Sequence, residues 1–373
     1  MNPAMSSIRL ADGRELIYFD ETARPHPEPD QRPLEPRAAD AAGEVRYDAL
    51  TGDWVAIAAH RGNRTYLPPA DQCPLCPSKP GAASEIPAAD YDVAVFENRF
   101  PSLGPALGSL AEHTPVPPVW GTKSTGFGRC EVVAFTSDHQ GSFGTLGPRR
   151  ARTVLAALAQ RTAWLSALPG IKQVFPFENR GKDVGVTLHH PHGQIYAYPY
   201  LTPRATVMAE AAAKHHERSG QVLLEHILHA EQEAGDRMVL QGDHFSAFVP
   251  FAAHWPLEVH LVPHRQVADL AGLSGPELDE LAVLYLDLLH RLDSVYDSPT
   301  PYIAAWHQAP VDPGLRAVSR LHLQITSPRR SADKLKFLAG SEAAMGAFIN
   351  DSTPERIAGQ LREAGRLQQG SGS

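Results

Sequence analysis

The sequence predicts an α+β fold made of two copies of one unit, each an antiparallel sheet flanked by helices on one side. Three observations lead to this prediction. A strand, a helix and two further strands follow one another in the same order in two parts of the chain, and in each copy a histidine ends the first strand. The predicted helices space their apolar residues by three and four, whereas the predicted strands alternate apolar and polar residues. An internal duplication explains this order better than chance does.

The two copies can be aligned segment by segment. The first runs from CEVVAFTSDH (130–139) through a helix that starts near Pro148 to a strand at VFPFENRG and the segment HHPHGQIYAYP (189–199). The second runs from LEVHLVPH (257–264) through SGPELDELAVLYLDLLHRL to PYIAAWHQAP and SRLHLQITSP. This alignment pairs His139 with His264, and it pairs His190-Pro191-His192 with His322-Leu323-Gln324. Each helix has a proline in its first turn, which is typical of helix starts.

The elements before the first copy are shorter. IRLADGRELIYF predicts a hairpin that turns at Asp12-Gly13. Residues 20–43 are rich in Pro, Asp and Glu and indicate a mobile connector, and a strand is expected around Trp54 to Ala58. The Gly and Pro content of residues 104–129 predicts a long irregular loop. We therefore expect an N-terminal hairpin and linker over 1–43, a first repeat over 44–205 and a second repeat over 206–373.

Composition excludes some classes of protein. Of the 373 residues, 43% are apolar and 20% are charged, and no apolar run is long enough to cross a bilayer. The net charge of −8 argues against a partner with a phosphate backbone, because nucleic-acid-binding proteins usually carry a basic face. The N-terminus lacks the pattern of a secretory signal. A cytoplasmic protein without membrane or nucleic-acid partners is expected.

The segment HHPHGQIYAYP holds the clearest chemical signal. Residues two apart in a strand point the same way, so His190, His192 and Gln194 share one face. Proline is poorly tolerated inside a central strand and Gly193 permits close backbone approach, so an edge strand or a kinked strand beside a ligand is expected. Two satisfied surface histidines are the simpler alternative. A neutral imidazole is a good nucleophile, and its ordinary pKa near 6.5 leaves it mostly uncharged at pH 7.

The three cysteines are too few for a disulfide framework. Cys73 and Cys76 form a CPLC hook, which is compatible with metal binding or with redox chemistry. With His139 and His190 they make the kind of Cys2His2 set that tetrahedral zinc prefers. Cys130 is expected to be a core thiol.

The run ENRGKDVGVTLHHPHGQIYAYP, with CPLC upstream and a second repeat downstream, resembles the galactose-1-phosphate uridylyltransferase family of the histidine-triad superfamily. The resemblance covers roughly residues 44 to 350. It implies two histidine-triad-like repeats and a structural zinc on Cys73, Cys76, His139 and His190. It also implies that His192 attacks the α-phosphorus of UDP-glucose and carries the uridylyl group as a phosphoramidate. Gln194 stands where the hydrolases of the superfamily have a third histidine, and an amide can hold a phosphoryl oxygen without acting as an acid.

The same resemblance implies the contacts to substrate. Arg61 and Arg64 match two arginines that meet the phosphates, and Asn179, Gly185 and Thr187 match other phosphate-binding positions. The nucleoside pocket corresponds to Leu75, Phe96, Asn98 and Phe100, although Arg99 replaces a residue that is often acidic. Lys336, Phe337 and Glu342 match a sugar-binding segment that reaches across a homodimer interface in the family, and Ser341 stands where a tyrosine is common.

A second metal site that some family members carry is expected to be absent. Of the positions it needs, His307 and His322 are present, while Met208 and Gln324 replace the other two ligands. Glu210 lies near Met208 and could substitute only with a change of register. His307 and His322 are then core or hydrogen-bonding residues.

The leading hypothesis is a transferase that converts UDP-glucose and galactose 1-phosphate into glucose 1-phosphate and UDP-galactose by ping-pong chemistry, through a uridylyl-histidine intermediate. Its substrates would be UDP-glucose, UDP-galactose and hexose 1-phosphates. A nucleoside diphosphate sugar phosphorylase or adenylyltransferase of the same superfamily is the alternative, and it is favoured by Arg99 and Ser341. From another class, a silent nucleotide-binding scaffold is disfavoured because His192 and Gln194 are both present.

Overall fold

A computed structural model describes residues 2–36, 43–59, 67–104, 114–116, 121–296 and 298–370. Its framework is an antiparallel sheet of eleven strands, accompanied by a four-stranded sheet and a two-stranded ribbon. The strands are β1 (Ala4–Arg9), β2 (Glu15–Asp20), β3 (Glu44–Asp48), β4 (Asp53–Ile57), β5 (Val93–Glu97), β6 (Thr114–Val116), β7 (Gly121–Thr125), β8 (Arg129–Ala134), β9 (Gln173–Arg180), β10 (His192–Tyr198), β11 (Met238–Gln241), β12 (Phe245–Phe248), β13 (Leu257–Pro263), β14 (Tyr302–His307), β15 (His322–Ser327), β16 (Arg329–Ser331) and β17 (Lys334–Leu335). The helices are α1 (Pro148–Ser166), α2 (Pro203–Ser219), α3 (Leu223–Ala234), α4 (Gly275–Ser294), α5 (Pro313–Val318) and α6 (Pro354–Gly370).

The order of strands in the large sheet shows the duplication directly. It reads β1-β2-β5-β8-β10-β9-β14-β15-β13-β12-β11, so β9 and β14 meet at the centre. On either side of this junction lie β10 and β15, followed by β8 and β13. Phe177 of β9 pairs with Ala305 of β14 where the halves join. The predicted α+β fold of two repeats is confirmed, and the two half-sheets are continuous.

The two long helices of the repeats pack on one face of this sheet. Pro148 opens α1, and α4 follows a capping box in which Ser274 and Glu277 satisfy each other's backbone amides. Leu155 and Leu158 of α1 and Leu281 of α4 belong to the main core. The terminal helix α6 packs against α4 and β11 and extends the same layer.

The opposite face differs between the halves. In the second half it is covered by α3, whose Leu224 and Leu228 pack on Phe248 and Val262, and α2 packs against α3. Helices on one side of each repeat were expected, so the second repeat departs from that expectation. The cause is the connection between the repeats, which folds as two helices over the sheet face that carries His322.

The prediction of one irregular loop over residues 104–129 is wrong, because this range contains β6 and β7, and β7 pairs with β3 in the four-stranded sheet. The described part of the predicted connector makes long-range contacts, since Arg32 pairs with Glu85 at 2.6 Å and Asp30 accepts from the amide of Ala11 at 3.0 Å. Mobility of the connector stays a prediction. All these contacts join partners far apart in sequence, which local composition does not reveal.

Other local predictions are confirmed. β1 and β2 form the N-terminal hairpin, with Arg9 opposite Glu15 and Gly13 at φ +86° in the turn. β4 covers the strand expected around Trp54. In the described part of the chain, every helix is too short or too polar to cross a bilayer.

Candidate active site and metal centre

Strand β10 presents two faces of opposite character. Gly193, Ile195 and Ala197 are buried against the helix layer, while His192 and Gln194 are half-buried on the other side. A Cβ atom at Gly193 would lie 2.9 Å from the Phe135 ring and 3.0 Å from the carbonyl oxygen of Phe177. Only glycine fits there, because real Cβ atoms do not approach so closely.

The expectation of an edge strand is wrong, because β10 lies between β8 and β9 near the centre of the eleven-stranded sheet. Pro191 precedes the first paired residue, so its missing N–H costs no ladder hydrogen bond. Its carbonyl oxygen still accepts from the amide of Phe135 at 3.1 Å.

A cavity of about 300 Å³ opens on the polar face of β10. It is bounded by the ends of β5, β9 and β10, by the CPLC hook and by the loop that precedes β10. Nine predicted site residues line it: His192, Gln194, Leu75, Phe96, Asn98, Phe100, Asn179, Gly185 and Thr187. The fold thus brings together side chains that lie more than a hundred positions apart in the sequence.

The imidazole of His192 has a defined orientation. Its Nδ1 lies 2.7 Å from the carbonyl oxygen of His190 and donates to it. That bond places the proton on Nδ1 and leaves the lone pair of Nε2 uncommitted. Burial lowers the pKa of His192 below its ordinary value, so the ring is neutral at pH 7. A neutral imidazole with a fixed tautomer is a competent nucleophile.

The phosphate side of the cavity is built from β9 and the following loop. Phe177 and Asn179 point to the same side of β9, and Phe177 pairs with Gln194 across the strands. Gly185 has φ +82° and ends a short 3-10 turn, a conformation that favours glycine. After Gly185 the chain continues through Thr187 and Leu188, which line the cavity, and then enters β10.

The opposite wall includes two charged residues, Arg99 and Glu85. Arg99 lies 3.9 Å from Glu85, and its guanidinium stands 5.5 Å from the centre of the Phe100 ring. Glu85 is buried at the cavity wall and is held by Arg14 and Arg32, each at 2.6 Å. No local pattern marks Glu85, because the arginines that hold it come from the N-terminal segment.

Phe177 and Tyr196 were also missed. Both line the cavity, and their rings meet edge to face at 5.2 Å. The signal for Tyr196 was present in the sequence, since it is the next residue on the face that carries His192 and Gln194.

Three of the predicted substrate-binding residues that the structure describes, Lys336, Phe337 and Glu342, do not line this cavity. They lie on the segment after β17, where Lys336 is buried and bonds Glu342 at 2.8 Å, whereas Phe337 is 78% exposed. Arg61 and Arg64 lie outside the described residues.

The four predicted metal ligands form one cluster. The ligand atoms of Cys73, Cys76, His139 and His190 all lie within 4.8 Å of one another. Sγ of Cys76 is 3.3 Å from Nδ1 of His139 and 3.6 Å from Nδ1 of His190. Three separate parts of the chain supply these groups, and the cluster could hold a metal ion.

The surroundings of the cluster suit a metal. Nε2 of His190 lies 2.7 Å from the carbonyl oxygen of Thr136, and donation to that oxygen turns Nδ1 toward the cysteines. The hydroxyl of Tyr91 lies 3.1 Å from the same Nε2. Burial and the neighbouring Cys73 raise the pKa of the Cys76 thiol to about 12, and burial lowers the pKa of His190 to about 4. A bound cation would stabilise thiolate and neutral imidazole here.

The second repeat carries a polar cluster at the equivalent strands. His307 donates from Nε2 to Oε1 of Gln324 at 3.0 Å, and Gln324 donates to Glu258 at 2.7 Å. His260 lies 3.2 Å from the same Glu258 oxygen. His322 packs against His307 with the rings 4.8 Å apart.

The polar groups of this cluster bond to one another as the hydrogen-bonding interpretation expects. Met208 lines the adjoining cavity, whereas Glu210 is exposed and lies 3.7 Å from Lys214. The absence of a second metal stays a prediction.

Comparisons with known proteins agree on one family. The model of the galactose-1-phosphate uridyl transferase N-terminal domain matches residues 32–202, and the model of the C-terminal domain matches residues 208–369. A galactose-1-phosphate uridylyltransferase of Streptomyces lividans is 46% identical over 96% of this chain and 97% of its own. One from Thermotoga maritima is 36% identical over 86% of this chain and 98% of its own.

Solved structures agree with these matches. A uridylyltransferase structure aligns with a TM-score of 0.76 at 30% identity, over 87% of this chain and 99% of the other. An ADP-glucose phosphorylase from Arabidopsis thaliana aligns with a TM-score of 0.67 at 22% identity, over 86% of this chain and 97% of the other. At that identity the phosphorylase shows a shared fold only.

Proposed function

The chain belongs to the galactose-1-phosphate uridylyltransferase family, and we propose that it exchanges a uridylyl group between UDP-glucose and galactose 1-phosphate. The products are glucose 1-phosphate and UDP-galactose. One observation carries the proposal. A neutral His192, with its tautomer set by the carbonyl of His190, lies in a cavity with the predicted nucleoside and phosphate residues.

The first displacement uses the lone pair of His192. Nε2 attacks the α-phosphorus of UDP-glucose and forms a P–N bond. The bond from phosphorus to the bridging oxygen breaks, and glucose 1-phosphate leaves with that electron pair. Positive charge develops on the imidazole during attack, and donation from Nδ1 to the carbonyl of His190 at 2.7 Å stabilises it.

The second displacement reverses the first with a different sugar phosphate. A phosphate oxygen of galactose 1-phosphate attacks the phosphorus, the P–N bond breaks, and the electron pair returns to Nε2. UDP-galactose is released and His192 is restored. Dividing the reaction into two steps lets one cavity serve two sugar phosphates in turn, which produces ping-pong kinetics.

Gln194 holds the phosphoryl group during both steps. It shares the face of β10 with His192 and lines the same cavity. Its amide donates to a phosphoryl oxygen but supplies no acidic proton. A sugar phosphate is a stable enough leaving group to depart without full protonation.

The experiment that tests the reaction is capture of the intermediate. Wild-type protein treated with UDP-glucose should show a uridylyl adduct on His192 by mass spectrometry, and galactose 1-phosphate should discharge it. His192→Gly should form no adduct while remaining folded. A folded, active His192→Gly protein, or an adduct on another residue, would contradict the assignment.

The metal cluster is proposed to hold a structural zinc ion. Two cysteines and two histidines form the closed tetrahedral donor set that zinc prefers. Because all four positions are taken by protein, the ion would stabilise the fold rather than bind substrate. The competing redox interpretation of the CPLC hook is disfavoured, since both histidines direct ring nitrogens at the cysteines.

The remaining predicted contacts are proposed to complete the site in a homodimer. Lys336, Phe337 and Glu342 would bind sugar in the partner's cavity, and the exposure of Phe337 supports a segment that contacts another chain. Arg61 and Arg64 would meet the phosphates. Cytoplasmic location stays a prediction from the sequence.

A phosphorylase of the same superfamily is the second candidate, in which inorganic phosphate or another nucleotide replaces the sugar phosphate acceptor. The observation that favours it is Arg99 at the nucleoside wall, where the family often has an acidic residue. Ser341 in the sugar segment points the same way. If inorganic phosphate removes the uridylyl adduct and galactose 1-phosphate does not, the protein is a phosphorylase.

A further inference from the structure

A second and larger cavity lies on the other repeat. It has a volume of about 710 Å³ and separates α2 and α3 from the sheet. Its α2 wall is made of Ala205, Ala209 and Ala212, and Leu224 and Ile227 face it from α3. Small residues on one wall leave the space open, so the cavity can accommodate an organic ligand.

A buried guanidinium that forms no ion pair with the described residues lines this cavity. Arg320 is only 4% exposed. Its Nη2 donates to the carbonyl oxygens of Pro263, at 2.8 Å, and His264, whereas Nε and Nη1 have no partner among the described residues. Arginine stays protonated in proteins, and burial of an unpaired charge is costly. An anion beside Nε and Nη1 would therefore be stabilising.

A second cation belongs to the same cavity. Arg204, in the first turn of α2, lines it and has no ion pair within the described ranges. The positive charge of Arg204 contributes to lowering the pKa values of His307 and His322. Arg204 therefore acts on the part of the cavity that these two histidines line.

The acidic residues of the lining are already committed. Glu258 accepts from Gln324 at 2.7 Å and from the amide of His254 at 2.6 Å. Glu231 pairs with Arg237 at 2.8 Å. Neither carboxylate pairs with Arg320. The charge of Glu225 acts on Arg320 from a distance, but the two form no ion pair among the described residues. Nε and Nη1 of Arg320 are therefore available to an anionic ligand.

We propose that this cavity binds a small amphipathic carboxylate. Its head group would meet Arg320, with Arg204 as the second cation, and its aliphatic body would lie along the alanine wall of α2. The apolar lining disfavours a sugar nucleotide, which needs hydrogen-bonding side chains such as those around His192. The inference does not depend on uridylyl transfer.

The test uses octanoate as the probe and 1-octanol as an uncharged control of the same chain length. Titration calorimetry on the full chain should show saturable octanoate binding, about tenfold or more tighter than that of octanol, because a charged hydrogen bond is lost with the alcohol. Arg320→Met should weaken octanoate binding by a similar factor. Ala209→Trp should abolish it, since Ala209 is 5% exposed and lines the cavity. Arg330→Met, which alters an exposed arginine, and His192→Gly should leave it unchanged.

Thermal unfolding supplies a second measurement if Arg320→Met does not fold. Octanoate should raise the melting temperature of the wild type but not that of Ala209→Trp. The proposal is overturned if wild type shows no saturable binding, or if folded Arg320→Met and Ala209→Trp bind octanoate as the wild type does. If octanoate binds only after dilution has separated the chains, the cavity is occupied by a second copy of this chain. That result would also overturn the proposal.

Discussion

At the scale of single residues, the site depends on small differences within one motif. His190 and His192 are two positions apart, yet His190 directs Nδ1 at the cysteines while His192 uses Nδ1 to hold a carbonyl oxygen. One ring is thereby suited to a metal and the other to attack on phosphorus. Gln194 completes the set as a donor that carries no titratable proton.

The identity of residue 194 should control the competition between transfer and hydrolysis. Gln194→His introduces a group that can exchange protons with a leaving group or with water. We expect hydrolysis of UDP-glucose to rise by about tenfold or more, within the usual range of general acid–base effects, while transfer to galactose 1-phosphate falls. Product analysis with and without galactose 1-phosphate measures both rates. Gln194→Ala is the control, and an equal rise in hydrolysis there would disprove a proton-transfer role.

Glu178 should make stability depend on pH. It is buried on β9 between the hydroxyls of Tyr302 at 3.0 Å and Tyr285 at 3.4 Å, and burial raises its pKa from 4.5 to about 7. The folded state then binds the proton more tightly than the unfolded state does. Its stabilising contribution is complete below about pH 4.5 and is lost as the pH rises through about 7.

Replacement of Glu178 by glutamine tests this dependence. Glu178→Gln should remove a pH-dependent part of the unfolding free energy of at most about 3 kcal/mol. Urea unfolding between about pH 5 and about pH 8 would show the wild type losing stability relative to the variant. Glu217→Gln changes an exposed glutamate and serves as the control. Parallel curves for wild type and Glu178→Gln would contradict the raised pKa.

At the scale of elements, β10 joins the candidate metal cluster to the proposed nucleophile. His190 stands just before the strand, and His192 is its first residue. The cysteines of the hook and His139 of the segment after β8 therefore fix the start of β10 from outside the sheet. Loss of the cluster should disturb the nucleophile as well as the fold.

Substitution of one thiol tests this coupling. Cys76→Ser should reduce bound zinc from about one ion per chain to a small fraction and lower the free energy of unfolding by several kcal/mol, because metal binding contributes to folding. Elemental analysis and denaturant unfolding measure the two effects. Cys130→Ala changes the third cysteine, which lies outside the cluster, and should retain zinc. A fully zinc-loaded Cys76→Ser protein would rule out the assigned ligand set.

At the scale of the whole molecule, one sheet carries two repeats with different surroundings. The first repeat leaves the face of β10 open as the cavity around His192, whereas α2 and α3 cover the corresponding face of the second. Lys336, Phe337 and Glu342 do not line this chain's own cavity. If they bind the sugar, as proposed, the site requires a second chain.

Mixing two inactive variants tests that requirement. His192→Gly lacks the nucleophile, and Phe337→Ala alters an exposed residue of the proposed sugar segment. Each alone should have low activity, and in a mixed dimer one of the two sites regains both parts. Subunit exchange between equal amounts should restore about a quarter of wild-type activity, as expected for a symmetric dimer with shared sites. Activity that stays at the mean of the separate variants would show that each chain supplies its own segment.

Much of the site could be predicted because its signals are local. The alternation around His192 and the CPLC hook both place side chains through short, regular geometry. Glu85 could not be found in this way, since only sheet pairing brings Arg14 and Arg32 to it. The wrong prediction for residues 104–129 has the same origin, because β7 is defined by its pairing with β3.

By itself the sequence determined the repeated order of helices and strands and placed His190, His192 and Gln194 on one face of a strand, because periodicity is local. The assignment of His192 as nucleophile and of His139 as a metal ligand came from the resemblance to a known family and stays a prediction. Only the tertiary structure decided that the half-sheets join at β9 and β14, that an N-terminal ion-pair network supports the cavity wall, and that α2 and α3 enclose a second cavity beside Arg320. Such contacts join distant parts of the chain, and their formation depends on strand pairing and packing that no local pattern encodes.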